Sequence, residues 1–126
     1  MKPILVIITV TAALVGSAVA QPAAKAYPTV SYTVHRYTCD AGKKLSVSYL
    51  RYGTGGPNFV VLEYLGRGYG LAQAPSADGA RYAALGGLNP GDDGLEWWSK
   101  GLSGTLSTLN AGATKTAVAI NCRTNR

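Results

Sequence analysis

The side chains best able to do chemistry in this 126-residue chain are His35, four carboxylates, two indoles and one lysine that follows them. The carboxylates Asp78, Asp92, Asp93 and Glu96, the indoles Trp97 and Trp98, and Lys100 all fall within the glycine-rich stretch 76-SADGARYAALGGLNPGDDGLEWWSKG-101. A nucleophilic triad needs a histidine base oriented by a third group. His35 is the only histidine, it stands beside Arg36 in a strand-like run, and no Gly-x-Ser-x-Gly elbow occurs. It reads as a packing or surface residue. Glycosidic cleavage needs two carboxyl groups facing each other across a cleft. Asp92, Asp93 and Glu96 sit in one glycine-rich segment and read as solvated turn residues. Gly53-Thr54-Gly55-Gly56 lacks the Gly-Lys-Ser/Thr and the helix of a phosphate loop. A closed zinc site wants four ligands, which one histidine and two cysteines do not supply. The chain is therefore expected to be no enzyme, with no cofactor and no metal. Trp97 and Trp98 could stack on bases or sugars, but on a strand one faces the core and the other solvent. The same alternation puts Lys100 on the side of Trp98.

The elements that would position these groups are short strands. Ser31 to Cys39 alternates, with Tyr32, Val34, Arg36 and Thr38 on one face and Thr33, His35, Tyr37 and Cys39 on the other. Asp40-Ala41-Gly42 signals a turn, and Leu45, Val47 and Tyr49 share one face of a second strand. Gly53 to Pro57 breaks the chain. Phe59 to Leu65 and Tyr69 to Gln73 flank Gly66-Arg67-Gly68, and Arg81–Leu85, Leu95–Ser99, Gly104–Leu109 and Thr116–Cys122 follow. No segment has helical spacing with caps, and no repeat is present. About eight short strands separated by turns predict an all-β fold, a small antiparallel barrel or sandwich. A closed barrel would protect the strand edges from pairing with other chains.

The first residues predict a leader. Lys2 precedes an apolar run from Ile4 to Val15, and Ala18-Val19-Ala20 has the small-x-small pattern cut by signal peptidase. The run is shorter than the ~20 residues of a membrane span. Cleavage is expected after Ala20, so that 1–20 is a signal peptide, 21–30 a flexible lead-in and 31–126 one domain. No cysteine stands at that junction, which points away from a lipid anchor. In an exported chain the pair Cys39 and Cys122 predicts a disulfide joining the first strand to the last. The formal charge is +6, and loss of Lys2 leaves +5. Lysine and arginine are scattered singly apart from Lys43-Lys44, with no stripe for nucleic acid.

Five short motifs, in order, resemble the periplasmic and membrane-bound inhibitors of C-type lysozyme. They are Tyr37-Thr38-Cys39, Leu45-Ser46-Val47-Ser48-Tyr49, Ser76-Ala77-Asp78-Gly79-Ala80-Arg81-Tyr82, Trp98-Ser99-Lys100-Gly101 and Cys122. The resemblance runs over about residues 32–123 and implies an eight-stranded antiparallel barrel. It further implies a periplasmic inhibitor whose partner is a C-type lysozyme. Loop 76–82 and Lys100 would occlude the enzyme's substrate cleft, where an ammonium between two carboxylates gains charge-assisted hydrogen bonds. By motif position the contacts would be Lys100, Ser76, Asp78, Gly79, Arg81 and Tyr82. Trp97, Trp98, Ser99, Gly101, Asp92, Asp93 and Glu96 would support them.

Two departures from the family pattern stand out. Asp78 occupies the position of the family's contacting serine, where a carboxylate would be repelled by enzyme carboxylates. One accommodation is that Asp78 pairs with arginines of the basic enzyme while Ser76 or a backbone group meets the catalytic site. The segment between Tyr82 and Trp97 is also long for the family. Across 76–99 four acids oppose Arg81 alone, a local charge of −3 suited to a basic enzyme. The rival reading is an envelope module that binds a cell-wall glycan through Trp97 or Trp98 and Tyr82.

Overall fold

A computed structural model of the chain describes residues 3, 11–13, 15–24, 29–55, 58–112 and 114–125. Lys2, most of the apolar run of the expected leader, residues 25–28 of the lead-in and Gly56-Pro57 of the chain break lie outside the described residues.

Eight strands form: β1 (Val30–Thr38), β2 (Lys44–Tyr52), β3 (Asn58–Tyr64), β4 (Arg67–Ala74), β5 (Ala80–Leu85), β6 (Gly94–Lys100), β7 (Ser103–Asn110) and β8 (Thr114–Arg123). One 3-10 turn, Asp40–Gly42, lies between β1 and β2. Each strand pairs antiparallel with the next, and the ring closes as a barrel. Alternation is the cause of the two-sidedness. In β3, Val60, Leu62 and Tyr64 point inward while Phe59, Val61 and Glu63 point out. The expected strand set and barrel are both present. Closure differs from the expectation in one respect: among the described residues β1 meets β8 only at Thr38 opposite Arg123, so there most of β1 keeps an open edge.

The core centres on Trp97, which is fully buried among Tyr37, Leu62, Leu95 and Leu106. Tyr37 meets its ring edge-on at 4.9 Å. Tyr49 Oη accepts from Trp97 Nε1 at 2.9 Å and shares a 2.9 Å hydrogen bond with Tyr37 Oη. A buried indole N–H and two phenols are thereby satisfied without water. Burial and the neighbouring Tyr49 hydroxyl push Tyr37's pKa far above the ordinary phenol value. Gly104 lies opposite Ser99 across the β6–β7 hairpin, and a Cβ there would run into the Trp97 ring. His35 packs edge-on against Tyr49 at 5.5 Å, as a packing residue. Cys39 and Cys122 form the expected disulfide across 83 residues of sequence, fastening the seam where backbone pairing is thinnest.

Candidate functional site: the tip formed by the β4–β5 loop and the end of β6

β4, β5 and β6 deliver three chain segments to one end of the barrel. β4 ends at Ala74 and β5 begins at Ala80, leaving the five-residue loop 75–79. β6 ends at Lys100, and Gly101-Leu102 turns the chain into β7. The β5–β6 register sets Ala80 opposite Ser99 and Arg81 opposite Trp98, so the loop lies directly over the last residues of β6.

Three hydrogen bonds fix the loop. Trp98 Nε1 donates to the Asp78 carbonyl at 2.8 Å, and Ser76 Oγ donates to the same oxygen at 2.6 Å. Lys100 Nζ donates to Asp78 Oδ2 at 2.6 Å, a salt bridge with both side chains well exposed. The Lys100 ammonium, helped by the Gly79 amide, holds the Asp78 carboxyl below its ordinary pKa. Gly79 is required for two reasons. Its φ is +67°, where an L side chain is strained, and a Cβ would stand 2.5 Å from the Ser99 carbonyl oxygen and 3.2 Å from the Trp98 ring. Trp98 is thus the floor on which the loop rests. A groove of about 420 Å³ runs beside the loop, lined in part by Asn58, Gln73, Ser76, Gly79 and Arg81.

The structure brings Ser76, Asp78, Gly79, Trp98 and Lys100 together, with Ser99 buried beneath them and Gly101 in the turn at φ +57°. Asp78 does not stand free for enzyme arginines; its partner is Lys100 of the same chain. Tyr82 is not at the tip. It is buried, faces Trp97 across the strands and packs edge-on with Tyr49 at 5.8 Å, and burial raises its pKa. With Trp97 and Tyr82 both inside, the aromatic platform required by the glycan reading is reduced to Trp98.

The expected negative patch over 76–99 also resolves differently. Glu96 is not a solvated turn residue. It lies in β6, on the same face as Trp98 and Lys100, yet only 4% of its side chain is exposed. Arg81 Nε donates to Oε2 and Lys115 Nζ to Oε1, each at 2.5 Å. Their aliphatic stems cover the outer face that alternation would leave open. Burial works against the charge of Glu96, but the hydrogen bonds from Lys115 and Arg81 outweigh it and keep its carboxyl below the ordinary range. Arg81, expected at the interface, is committed to this pair. Asp92 and Asp93 sit just before the other end of β6, whose seven-residue length sets them more than about 20 Å from Lys100 at ~3.3 Å per residue. There they organise the β5–β6 loop: Asp92 Oδ2 accepts from the Asn89 amide at 2.9 Å, and the Asp93 amide donates to the Leu109 carbonyl at 2.8 Å. The long segment is therefore a tied loop remote from the tip.

Lys115 and Gly104 were not singled out from the sequence. Gly104 was recoverable, since the two-residue Gly101-Leu102 turn fixes the hairpin register that puts it beside Trp97. Lys115 was not, because it reaches Glu96 across an intervening strand.

A family model described as membrane-bound lysozyme-inhibitor of c-type lysozyme (MliC) matches residues 37–115, from Tyr37 through the tip to Lys115. The chain belongs to the MliC family. A membrane-bound lysozyme inhibitor of C-type lysozyme from Cupriavidus necator is 36% identical over 88 residues, which is 70% of this chain. The chain spans 62% of that relative's length. A crystal structure of Pseudomonas aeruginosa MliC in complex with hen egg white lysozyme matches with a TM-score of 0.54 at 23% identity. The match covers 86% of this chain and 98% of that one, a likeness of fold.

Proposed function

We propose that this MliC-family chain is an exported inhibitor of C-type lysozyme, acting in the periplasm after cleavage at Ala20, and that its working surface is the tip of loop 75–79 and Lys100. One observation carries the reading: Lys100 stands exposed at the end of a strand rooted in the core by Trp97, beside a loop pinned to Trp98. A cation so held enters a groove with little loss of freedom. In a lysozyme cleft it would meet two catalytic carboxylates and exchange Asp78 for them as hydrogen-bond acceptors. The Asp78 carboxylate then has to swing away from those acids, so this tip enters the cleft carrying its own competitor for Lys100.

The deciding measurement is lysis of a cell-wall substrate by C-type lysozyme in the presence of the purified protein. Inhibition at micromolar concentration or below is expected, and its absence rejects the reading. Lys100→Ala should weaken inhibition at least tenfold, since truncating one member of a desolvated charge pair costs ~2–5 kcal/mol.

A further inference from the structure

β1 is bonded to β2 along all nine residues, from Val30 opposite Tyr52 to Thr38 opposite Lys44. On its other side, among the described residues, its strand pairing is confined to Thr38. Soluble proteins blunt such edges with lysine, proline, bulges or covering segments. From Val30 to Val34 the strand carries no charge and no proline, and its register with β2 is unbroken.

The outward side chains of this edge are apolar and uncovered: Val30 is 54% exposed, Tyr32 71% and Val34 46%. The register continues the surface around the barrel, setting Leu50 beside Tyr32, Phe59 beside Leu50 and Val61 in the next row, until it ends over Gly70 and Ala72. A shallow apolar depression of about 480 Å³ lies on this face. The exposed side chains amount to roughly 600 Å² of apolar surface, at the upper end for a monomer.

We infer that β1 is the pairing edge of a homodimer, in which two copies add their β1 strands antiparallel about Thr33. The residue pattern of β1 selects a second copy in this orientation. Centring on Thr33 sets Tyr32 opposite Val34 of the second copy twice over, an aromatic against a β-branched residue on the outer face. It joins the two apolar faces into one. It also sets Arg36 opposite Val30 of the second copy, leaving the two Arg36 guanidinia about 20 Å apart at ~3.3 Å per residue. The parallel alternative would stack Arg36 on Arg36, which like charges disfavour. The arrangement is isologous and closes on itself. Counting through β8 and β7, β6 stands three strands around the barrel from β1, so both Lys100 tips stay open in the dimer. The inference therefore stands apart from the proposed lysozyme inhibition.

The test is the molar mass of the full exported chain by light scattering and sedimentation over a series of concentrations. A concentration-dependent dimer is expected, with β1 amides protected from hydrogen exchange in the dimer and exposed on dilution. Tyr32→Lys and, separately, Val34→Lys place a charge on exposed positions of the edge. Each should raise the dissociation constant at least tenfold with unchanged circular dichroism, whereas Lys100→Ala should leave it unaltered. A monomer at every concentration overturns the inference, as does a dimer indifferent to both lysine variants. A monomer that binds lipid vesicles through this face, with binding lost in Tyr32→Lys, also overturns it and assigns the surface to lipid.

Discussion

Replacing Glu96 by Gln separates the charge of this residue from its shape. In the native barrel its carboxylate is 4% exposed and accepts two charge-assisted hydrogen bonds, from Arg81 at 33% and Lys115 at 53% exposure. A hydrogen bond to a charged group contributes about 1.5–3 kcal/mol, reduced here because both cations are partly solvated. Glutamine keeps one acceptor and turns its NH₂ toward the other cation, so one bond is weakened and one lost. The expected destabilisation is about 2 kcal/mol, or roughly 8–16 °C in Tm for a domain near 100 residues. The pH dependence has a definite sign. The folded-state pKa of Glu96 lies below its unfolded value, so its stabilisation is fully present above the unfolded value of about 4.3 and is lost as pH falls through the folded one. Thermal melts by circular dichroism should therefore show the gap at neutral pH and its closure in acid. A variant melting within about 2 °C of the native protein at neutral pH, or a gap undiminished in strong acid, would refute the reasoning. Because Glu96 engages the Arg81 guanidinium beside the tip groove, the variant also tests whether a freed Arg81 alters lysozyme inhibition.

Asp78→Ser restores the hydroxyl implied by the family pattern and removes the intramolecular competitor for Lys100. Inhibition should strengthen about two- to fivefold, an effect of the size of an exposed pair, and the gain should shrink with added salt. Gly79→Ala should cost about 1–3 kcal/mol for the left-handed conformation alone, and it should lift the loop off Trp98 and lower inhibition more than Tm. Cys122→Ala, read by denaturant titration, should lower stability by up to ~4–5 kcal/mol, the chain-entropy ceiling for so long a loop. Lys100→Ala, by contrast, should leave Tm nearly unchanged, because the pair it breaks is exposed.

Local rules made the barrel legible. Period-two alternation and glycine-rich turns located all eight strands, seven of them to within two residues and the second only as far as Tyr49, three residues short of the end of β2, because hairpin neighbours are set by short-range chemistry. The opposite facing of Trp97 and Trp98 was legible for the same reason, and the disulfide was legible because an exported chain with two cysteines offers one pairing. Tyr82 was legible too, since it shares a face with Ala80 and Ala84 rather than with Arg81, but its place in a family motif drew it to the interface. The remaining features depend on distance in sequence. Lys100 and Asp78 meet across 22 intervening steps only because β5 and β6 pair in one register. Glu96 obeys alternation, yet two cationic side chains, Arg81 from neighbouring β5 and Lys115 from β8 beyond β7, bury its outward face. The near-open seam between β1 and β8 depends on the stagger of the whole ring, a global quantity that no single hairpin encodes.

The neighbouring indoles of β6 have a practical consequence. Trp97 is fully buried and Trp98 lies under the β4–β5 loop, so one residue of sequence separates two optical probes with different duties. The emission of Trp97 follows the integrity of the barrel and should resist an aqueous quencher. That of Trp98 follows the loop and should respond to whatever covers the tip. With Trp98→Phe as the reference, one fluorescence titration distinguishes engagement of the tip from loss of the fold, and no label has to be attached.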